Sequence, residues 1–448
     1  MFAKQIQQLP DEFVFGAATS SYQIEGSKFG GCGRSHWDDF AKQDGRTYQN
    51  QSGAVACAHY HHWAEDLDLI SVAGFKAYRF SFSWPRLLPE QDTEANADGI
   101  SFYDRLIDGM LERGLQPFAT LYHWDLPSRH AEAGGWTNRQ TALRFADYTD
   151  LIIRNYGDRL ETVAPVNEPW CVSWLSHYWG AHAPGFQDIS ATARAMHYIQ
   201  LAHGLSIEVM RGHGQQNLGC VLNKEFGSPA DETPETRRLT NLFDGIYNRW
   251  FEESIFKGRY PDDVLAVLAQ HMPDNYPQDM AVISQPLDWV GVNYYTRCVI
   301  APDKNEPHLG FKCTRGDLPK TDIGWEVFPE GLAFFVNRLS TDYAPGLPIY
   351  ITENGMANKD ALHGGQITDT ERLSYFDQHL AQIVTLTEQG RPVKGYFAWS
   401  LLDNYEWAFG YDKRFGLVHV DFETQKRTPK ASYFCWKDSL KRRSNKRM

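Results

Sequence analysis

Eight short apolar runs, each followed by an amphipathic stretch, recur along this chain of 448 residues. The runs are Phe13–Ala17, Ala77–Phe82, Pro117–Tyr122, Thr162–Val166, Leu218–Leu222, Asp288–Val292, Pro348–Ile351 and Lys394–Ser400. Between them, Trp63–Val72, Phe102–Arg113, Gln140–Tyr156, Ala191–Arg211 and Thr370–Gln389 place apolar residues at helical spacing. Strands that read as continuously apolar are buried on both faces, which happens when helices cover a parallel sheet. Eight alternations of strand and helix predict a closed (β/α)8 TIM barrel, an α/β fold of one domain over residues 1–448. An open doubly wound sheet is the structural alternative, but the first run carries no glycine-rich dinucleotide turn. No linker, low-complexity tract or compositional break divides the chain into the roughly three domains of ~150 residues that length alone would suggest.

A parallel barrel gathers the C-terminal ends of its strands on one rim, so the polar residues that end the runs should meet. In order they are Gln23 with Glu25, Arg79, His123, Asn167-Glu168, Asn223, Asn293 with Tyr295, Glu353 and Trp399. Any one alone could be a satisfied core polar group. The whole set predicts a single pocket. Two members are glutamates at the ends of strands: Asn167-Glu168-Pro169 follows Thr162–Val166, and Thr352-Glu353-Asn354-Gly355 follows Pro348–Ile351. A carboxylate in such a place is costly to desolvate unless it is paired or used. Two carboxyls across one pocket are what cleavage of a glycosidic bond requires.

Composition removes several classes of function. A formal net charge of −12 and a pI near 5.7 leave no basic surface for nucleic acid or an anionic membrane, and neither partner is expected. The basic end, Lys437–Met448, reads as a helix terminus rather than a binding tail. Met1–Pro10 has no apolar signal core, and no stretch is long enough to span a bilayer. The seven cysteines are scattered without metal-ligand spacing, which fits reduced thiols and a cytoplasmic location, with no metal and no cofactor. Aromatic residues make up 14% of the chain, including 14 Trp and 22 Tyr, and such rings either fill a core or stack on pyranose faces.

With these residues in hand, the chain resembles glycoside hydrolase family 1, the β-glucosidase and 6-phospho-β-glycosidase family of retaining (β/α)8 enzymes. The similarity runs from Phe13-Val14-Phe15-Gly16-Ala17-Ala18-Thr19 to Arg414-Phe415-Gly416-Leu417. It is carried by Tyr22-Gln23-Ile24-Glu25-Gly26, Tyr78-Arg79-Phe80-Ser81-Phe82-Ser83-Trp84, Leu121-Tyr122-His123-Trp124-Asp125 and Asn167-Glu168-Pro169-Trp170. Trp289-Val290-Gly291-Val292-Asn293-Tyr294-Tyr295 and Asn404-Tyr405-Glu406-Trp407 complete it. Each segment is a weak pattern alone; in this order they are specific.

The resemblance implies roles. Glu168 would be the acid/base and Glu353 the nucleophile, with Arg79 and Tyr295 donating to Glu353 and holding its pKa down. Burial and the charge of Glu353 would raise Glu168. The two carboxyls would stand about 5–5.5 Å apart, the retaining geometry. Gln23, His123, Asn167, Asn293, Glu406 and Trp407 would bind the sugar hydroxyls, Trp399 would stack under the ring, and Phe415 would wall C6. Trp170, Leu175, Asn223 and Trp325 would form an outer subsite. The implied activity is hydrolysis of terminal β-D-glucosyl residues from aryl glucosides and short β-glucans such as cellobiose, as in cellulose degradation, with small-molecule β-glucosides as partners. Phospho-sugar members carry a small polar residue and a Lys/Tyr cluster where this chain has Glu406, and a carboxylate there would repel a phosphate. A β-galactosidase, a β-fucosidase or a transglycosidase would use the same machinery, and a non-catalytic sugar-binding relative would lack one glutamate. Monomer and homo-oligomer fit equally well.

Other features are read as structural. His59, His61 and His62 open an acid-rich helix without an HExxH spacing, and Gly30-Gly31-Cys32-Gly33 lacks the Lys-Ser/Thr of a phosphate loop. Cys171 reads as small core filler, not a second nucleophile. Residues 300–328 read as a long irregular loop at the entrance, where Trp325 sits.

Overall fold

The structure is a computed structural model that describes residues 2–445. Its strands are β1 (Val14–Ala18), β2 (Ala77–Ser81), β3 (Gln116–Tyr122), β4 (Thr162–Val166), β5 (Gly219–Pro229) and β6 (Trp289–Pro302). They continue as β7 (Phe311–Thr314), β8 (Ile349–Asn354), β9 (Val393–Trp399), β10 (Val418–Val420) and β11 (Arg427–Pro429). The main sheet runs β4-β3-β2-β1-β9-β8-β6-β5, parallel throughout, with β7 added antiparallel to β6. Parallel bridges Val163↔Leu218 and Asn167↔Val221 join β4 to β5 and complete the ring. The eight predicted runs are thus the eight barrel strands, and long helices such as Arg139–Tyr156, Ile189–Gly212 and Thr370–Glu388 cover them.

Two layers of apolar packing hold the barrel. Inside it, Ala18, Ala77, Phe118, Phe397, Trp399 and Phe415 form a small cluster, with the Phe118 and Phe397 ring centroids 4.8 Å apart. Gly16 leaves room for this filling, since a Cβ there would come within 2.4 Å of the Phe397 ring. The larger cluster lies outside, between strands and helices. It includes the N-terminal helix Ala3–Gln8 and the C-terminal helix Ala431–Asn445, where Phe2 packs on Trp436 at 4.7 Å. Of the basic end, residues 446–448 lie outside the described residues.

The structure departs from expectation at β5 and β6. Both were expected to end near residues 222 and 292, yet they continue seven and ten residues further, to Pro229 and Pro302. Their pairing extends well past the rim, through Phe226↔Arg297 and Pro229↔Ile300. β7 then folds back on β6, pairing Val299 with Thr314 and Pro302 with Phe311. The segment expected to be irregular from 300 to 328 is therefore partly strand, and it stands as a wall over the barrel mouth. Short apolar runs betray buried strands; this wall is half exposed and alternates with polar residues, so run length misses it.

The loops after β8 and β9 are fixed by a buried ion network. Lys430 Nζ donates to Asp360 at 2.5 Å and to Asp403 at 2.6 Å. Arg372 holds Asp360 at 2.7 Å and Asp369 at 2.5 Å, and Arg414 holds the second oxygen of Asp403 at 2.8 Å. Asp403 also accepts the Gly416 N–H at 2.9 Å, which pins the turn that presents Phe415. Three cations face three carboxylates, so each buried charge has a partner.

Removing the cation between two buried carboxylates should be costly. Lys430→Met is expected to lose ~3–5 kcal/mol of stability, because Asp360 and Asp403 would each lose a partner. Arg34→Met, which breaks the exposed pair with Glu132, should cost at most about 1 kcal/mol. Chemical denaturation of the two variants checks this, and equal losses would contradict it.

Candidate functional site

Local backbone geometry sets both glutamates on the rim. After β4 the chain turns at Glu168, which sits at φ +50°, a left-handed conformation uncommon outside glycine. Its N–H donates to the Val221 carbonyl on β5 at 3.1 Å, so the turn is pinned by the strand it closes against. On β8 the register slips: Val292 faces Ile351, but Asn293 faces Glu353, leaving Thr352 as an extra residue. Such a bulge re-aims the side chain beside it. Gly355 follows because a Cβ there would lie 1.8 Å from the Trp399 carbonyl, so the close approach of β8 and β9 admits only glycine. Asn354 locks the same turn through the Tyr294 carbonyl at 2.6 Å and the Tyr396 hydroxyl at 2.5 Å.

A chain of amides connects the two carboxyls. The Thr352 hydroxyl donates to Asn293 Oδ1 at 2.6 Å, which leaves Asn293 Nδ2 to donate to Glu168 Oε1 at 2.7 Å and to Asn167 Oδ1 at 3.0 Å. Arg79 reaches across with both terminal nitrogens, Nη2 to Asn167 Oδ1 at 2.7 Å and Nη1 to Glu353 Oε1 at 2.5 Å. The Tyr295 hydroxyl donates to Glu353 Oε2 at 2.6 Å. Asn167 has both lone pairs of Oδ1 engaged, so its Nδ2 faces His123 Nε2 at 3.1 Å. Every orientation in the chain follows from its neighbour.

The surroundings of the glutamates differ, and so does their protonation. Burial pushes the Glu168 carboxyl up to about 8, with the nearby charge of Glu353 adding to the rise. Its donors are an amide, Asn293, and the Cys171 thiol at 3.1 Å. Burial also raises Glu353, opposed by the Arg79 guanidinium and the Tyr295 hydroxyl. The expectation that these two donors hold Glu353 below its ordinary value is therefore corrected: desolvation outweighs them, and they limit the rise. Glu406 is a third carboxyl in the group, pushed up to about 8 by burial and by the charges of Glu353 and Glu168. His123 is held well below its usual value by burial and by Arg79, so it is neutral.

These groups face a cavity of about 320 Å³. Its wall includes Glu168, Glu353, Tyr295, His123, Trp399, Glu406, Trp407 and Phe415, together with Trp170, Leu175, Asn223 and Trp325. Gln23, Asn167, Asn293 and Arg79 stand one layer behind and hold those that line it. Gln23 Nε2, for example, donates to the Tyr405 carbonyl at 3.0 Å and to Glu406 Oε2 at 3.4 Å. The Trp399, His123 and Trp407 rings lie near parallel, with interplanar angles of 15° and 14° about His123. Glu25 is the rim residue that does not join them: it pairs with Arg86 at 2.7 Å and Tyr103 at 2.9 Å, a buried structural pair.

Several cavity residues escaped the sequence reading. Cys171, read as core filler, lines the cavity and donates its thiol to Glu168 Oε2. Burial raises that thiol well above its ordinary value, which leaves it a donor and not a thiolate nucleophile. Trp124, in the Leu121-Tyr122-His123-Trp124-Asp125 segment, lines the cavity and donates to the Asn167 carbonyl at 2.9 Å. Tyr247 stacks on Trp170 with centroids 3.9 Å apart, and Glu225 and Arg315 complete the outer wall. Position directly after a rim residue would have flagged Trp124; nothing in local sequence marks Tyr247 or Arg315. Of the histidine group, His59 is buried and bonds Asp66 at 2.8 Å, and among the described residues no cluster is placed to hold a metal ion.

Comparison with known proteins gives a consistent result. The family model described as Glycosyl hydrolase family 1 matches residues 5–445. A β-glucosidase from Agrobacterium sp. is 45% identical over 433 residues, covering 95% of this chain and 94% of that protein. A 1,4-β-D-glucan glucohydrolase from Thermotoga neapolitana is 42% identical over 441 residues, covering 97% and 99%. The structure of a β-glucosidase from Thermotoga maritima in complex with glucoimidazole superposes with a TM-score of 0.94 at 41% identity, over 98% of this chain and 99% of that one.

The raised carboxyls make stability depend on pH in a defined direction. Glu406 holds its proton more tightly folded, at about 8, than unfolded, near ~4.3. Its contribution is therefore complete below the unfolded value and is lost as pH rises through the folded one. Glu406→Gln cannot ionise, so its melting temperature relative to the unmodified protein should be higher at pH 9 than at pH 5. Calorimetry at the two pH values tests this, and a gap independent of pH would rule it out.

Proposed function

This chain belongs to glycosyl hydrolase family 1, and from that premise we propose that it is a retaining β-glucosidase with Glu353 as nucleophile and Glu168 as acid/base. The observation that carries the reading is the unlike pair of carboxyls on one cavity, one bonded to a guanidinium and a phenol, the other pushed up to about 8. A nucleophile must be ionised and a general acid protonated at the start, and Arg79 and Tyr295 limit the rise of Glu353 while no cation is bonded to Glu168.

The reaction follows in two displacements. The Glu353 carboxylate attacks the anomeric carbon while Glu168 gives its proton to the departing glycosidic oxygen. The Glu353–Arg79 and Glu353–Tyr295 bonds fix one oxygen each, which holds the carboxylate in line. Glycosylation then removes the charge of Glu353. That charge is one cause of the raised Glu168, so the acid becomes easier to ionise at the stage where a base is needed. Glu168 takes a proton from water, water attacks the same carbon, and the sugar leaves with its β configuration restored.

The glycone side of the cavity suits a neutral pyranose. Trp399 offers the stacking face, and His123, Glu406 and Trp407 line the cavity with polar atoms, held from behind by Gln23, Asn167 and Asn293. Asn167, held by Arg79 and Asn293, keeps a second Nδ2 hydrogen for the proposed contact with the 2-hydroxyl, and Phe415 offers an apolar wall for C6. Lys413, the cation near Glu406 in sequence, is occupied by Asp322 at 3.0 Å and Asp412 at 2.9 Å. That pairing, with Glu406 in the cavity wall, supports a neutral sugar over a phosphorylated one. Aryl glucosides and short β-linked glucose oligomers are the proposed substrates.

Product stereochemistry is the direct test: NMR should show β-glucose forming first, and α-glucose first would end the proposal. Glu353→Gln should abolish turnover. Glu168→Ala should lose about 10²–10⁴-fold, regained with azide as a β-glucosyl azide product. The profile of kcat/KM against pH should be bell-shaped, with an alkaline limb near the value of about 8 set by Glu168, read as a property of the coupled carboxyls. A flat alkaline side to pH 10 would contradict the acid role.

A further inference from the structure

The step that asks most of Glu168 comes after the leaving group has gone. Water must then give a proton to Glu168, so a carboxylate has to exist in a buried place. Loss of the Glu353 charge eases this, but burial is the larger cause of the rise at Glu168, and burial remains. Arg79 acts on Glu168 only through space, since its bonds go to Glu353, Asn167 and the Thr352 carbonyl. The carboxylate therefore depends on its two direct donors. They are Asn293 Nδ2 on Oε1 at 2.7 Å and Cys171 Sγ on Oε2 at 3.1 Å.

The two donors differ in what they permit. Asn293 is fixed: its Oδ1 accepts from Thr352, so its Nδ2 can only donate, whichever state Glu168 is in. Cys171 is adaptable. Its hydrogen turns about the Cβ–Sγ bond, and sulfur is both a weak donor and a weak acceptor, so it meets carboxylate and acid alike. Burial, and then the charge of Glu168, raise the thiol well above its ordinary value, so it keeps its hydrogen when Glu168 ionises. The thiol also brings no charge. A cation in its place would hold Glu168 ionised and spoil the proton donor of the first step. The backbone fixes the sulfur: Cys171 opens the wide turn Cys171–Leu175, and the Val172 N–H donates to the Glu168 carbonyl at 3.3 Å. Wide turns of this kind are frequent at functional sites.

We propose that Cys171 is a positioning residue for Glu168, whose thiol supports the carboxylate that takes a proton from water and yields when Glu168 serves as acid. This rests on the reading of the site as a retaining β-glucosidase. In the second displacement the water oxygen bonds to the anomeric carbon, and the bond from that carbon to Glu353 breaks. Its electron pair returns to Glu353, and the water proton passes to Glu168. The receiving carboxylate is held at both oxygens, so its free lone pairs are aimed.

The experiment changes the thiol in two directions and follows kcat/KM for phenyl β-glucoside against pH. Cys171→Ala removes the donor, so the alkaline limb should move up by about half a pH unit or more. Cys171→Ser offers a stronger donor and should move the limb down. A side chain that only fills space would not shift it in opposite directions. With 2,4-dinitrophenyl β-glucoside, whose leaving group needs no proton, release of the sugar from Glu353 limits turnover. There kcat and KM of Cys171→Ala should fall together, about threefold or more, as the glycosylated enzyme accumulates. A limb that stays within about 0.2 pH unit in both variants, or moves the same way in both, overturns the proposal. If one variant fails to fold, the other decides alone by the direction of its shift. Should Glu168→Ala keep full turnover of phenyl β-glucoside, the acid/base assignment itself fails, and this proposal with it.

Discussion

One cation serves three carboxyls at the centre of this molecule, and the behaviour of the site follows from that imbalance. Arg79 is buried and bonded to Glu353, while Glu168 and Glu406 share the same enclosed space without a cation of their own. His123, which stands beside them on the cavity wall, is neutral. Like charges in a low dielectric repel too strongly for all three carboxyls to ionise together. Protons must therefore remain, and they remain where no cation opposes the cost of burial. The difference between Glu168 and Glu353 is not a property of either residue; it is decided by which of them Arg79 touches.

That contact depends on the barrel. Arg79 belongs to β2 and Glu353 to β8, and the two meet only because the closed ring brings strand ends to a common rim. Precision then comes from small devices on each strand: the left-handed turn at Glu168, the extra residue at Thr352 and the glycine at 355. Behind the site, the Lys430 network fixes the turns after β8 and β9, including the one that carries Phe415. Rigid support of this kind lets carboxyls keep their spacing against their mutual repulsion.

The barrel, its eight strands and the two glutamates were legible in the sequence for a physical reason. Doubly buried strands must be apolar throughout, so Thr162–Val166 and Pro348–Ile351 announce themselves, and a glutamate closing such a run stands out. Long helices were legible by the same logic of periodic burial. What escaped depends on contacts between distant segments. Glu25 looked like a rim residue but pairs with Arg86. Cys171 looked like filler but touches Glu168. The rise of Glu353 was also hidden: the resemblance implied its donors, but the weight of burial against them requires the folded environment. The β5–β6–β7 wall was misjudged because its outer half is partly solvated, where apolar patterning fades.

The two halves of the cavity obey different physics. Around Glu168 and Glu353 the chain from Thr352 to His123 ties polar groups to one another, so a ligand meets a surface whose donors and acceptors are already aimed. Little is left to reorganise there, because Arg79 and Tyr295 already hold both oxygens of Glu353. At the outer end aromatic faces dominate, beside the charged pair of Glu225 and Arg315. A change to the wall of β5, β6 and β7 can thus reshape the outer half of the cavity without moving Arg79 from Glu353.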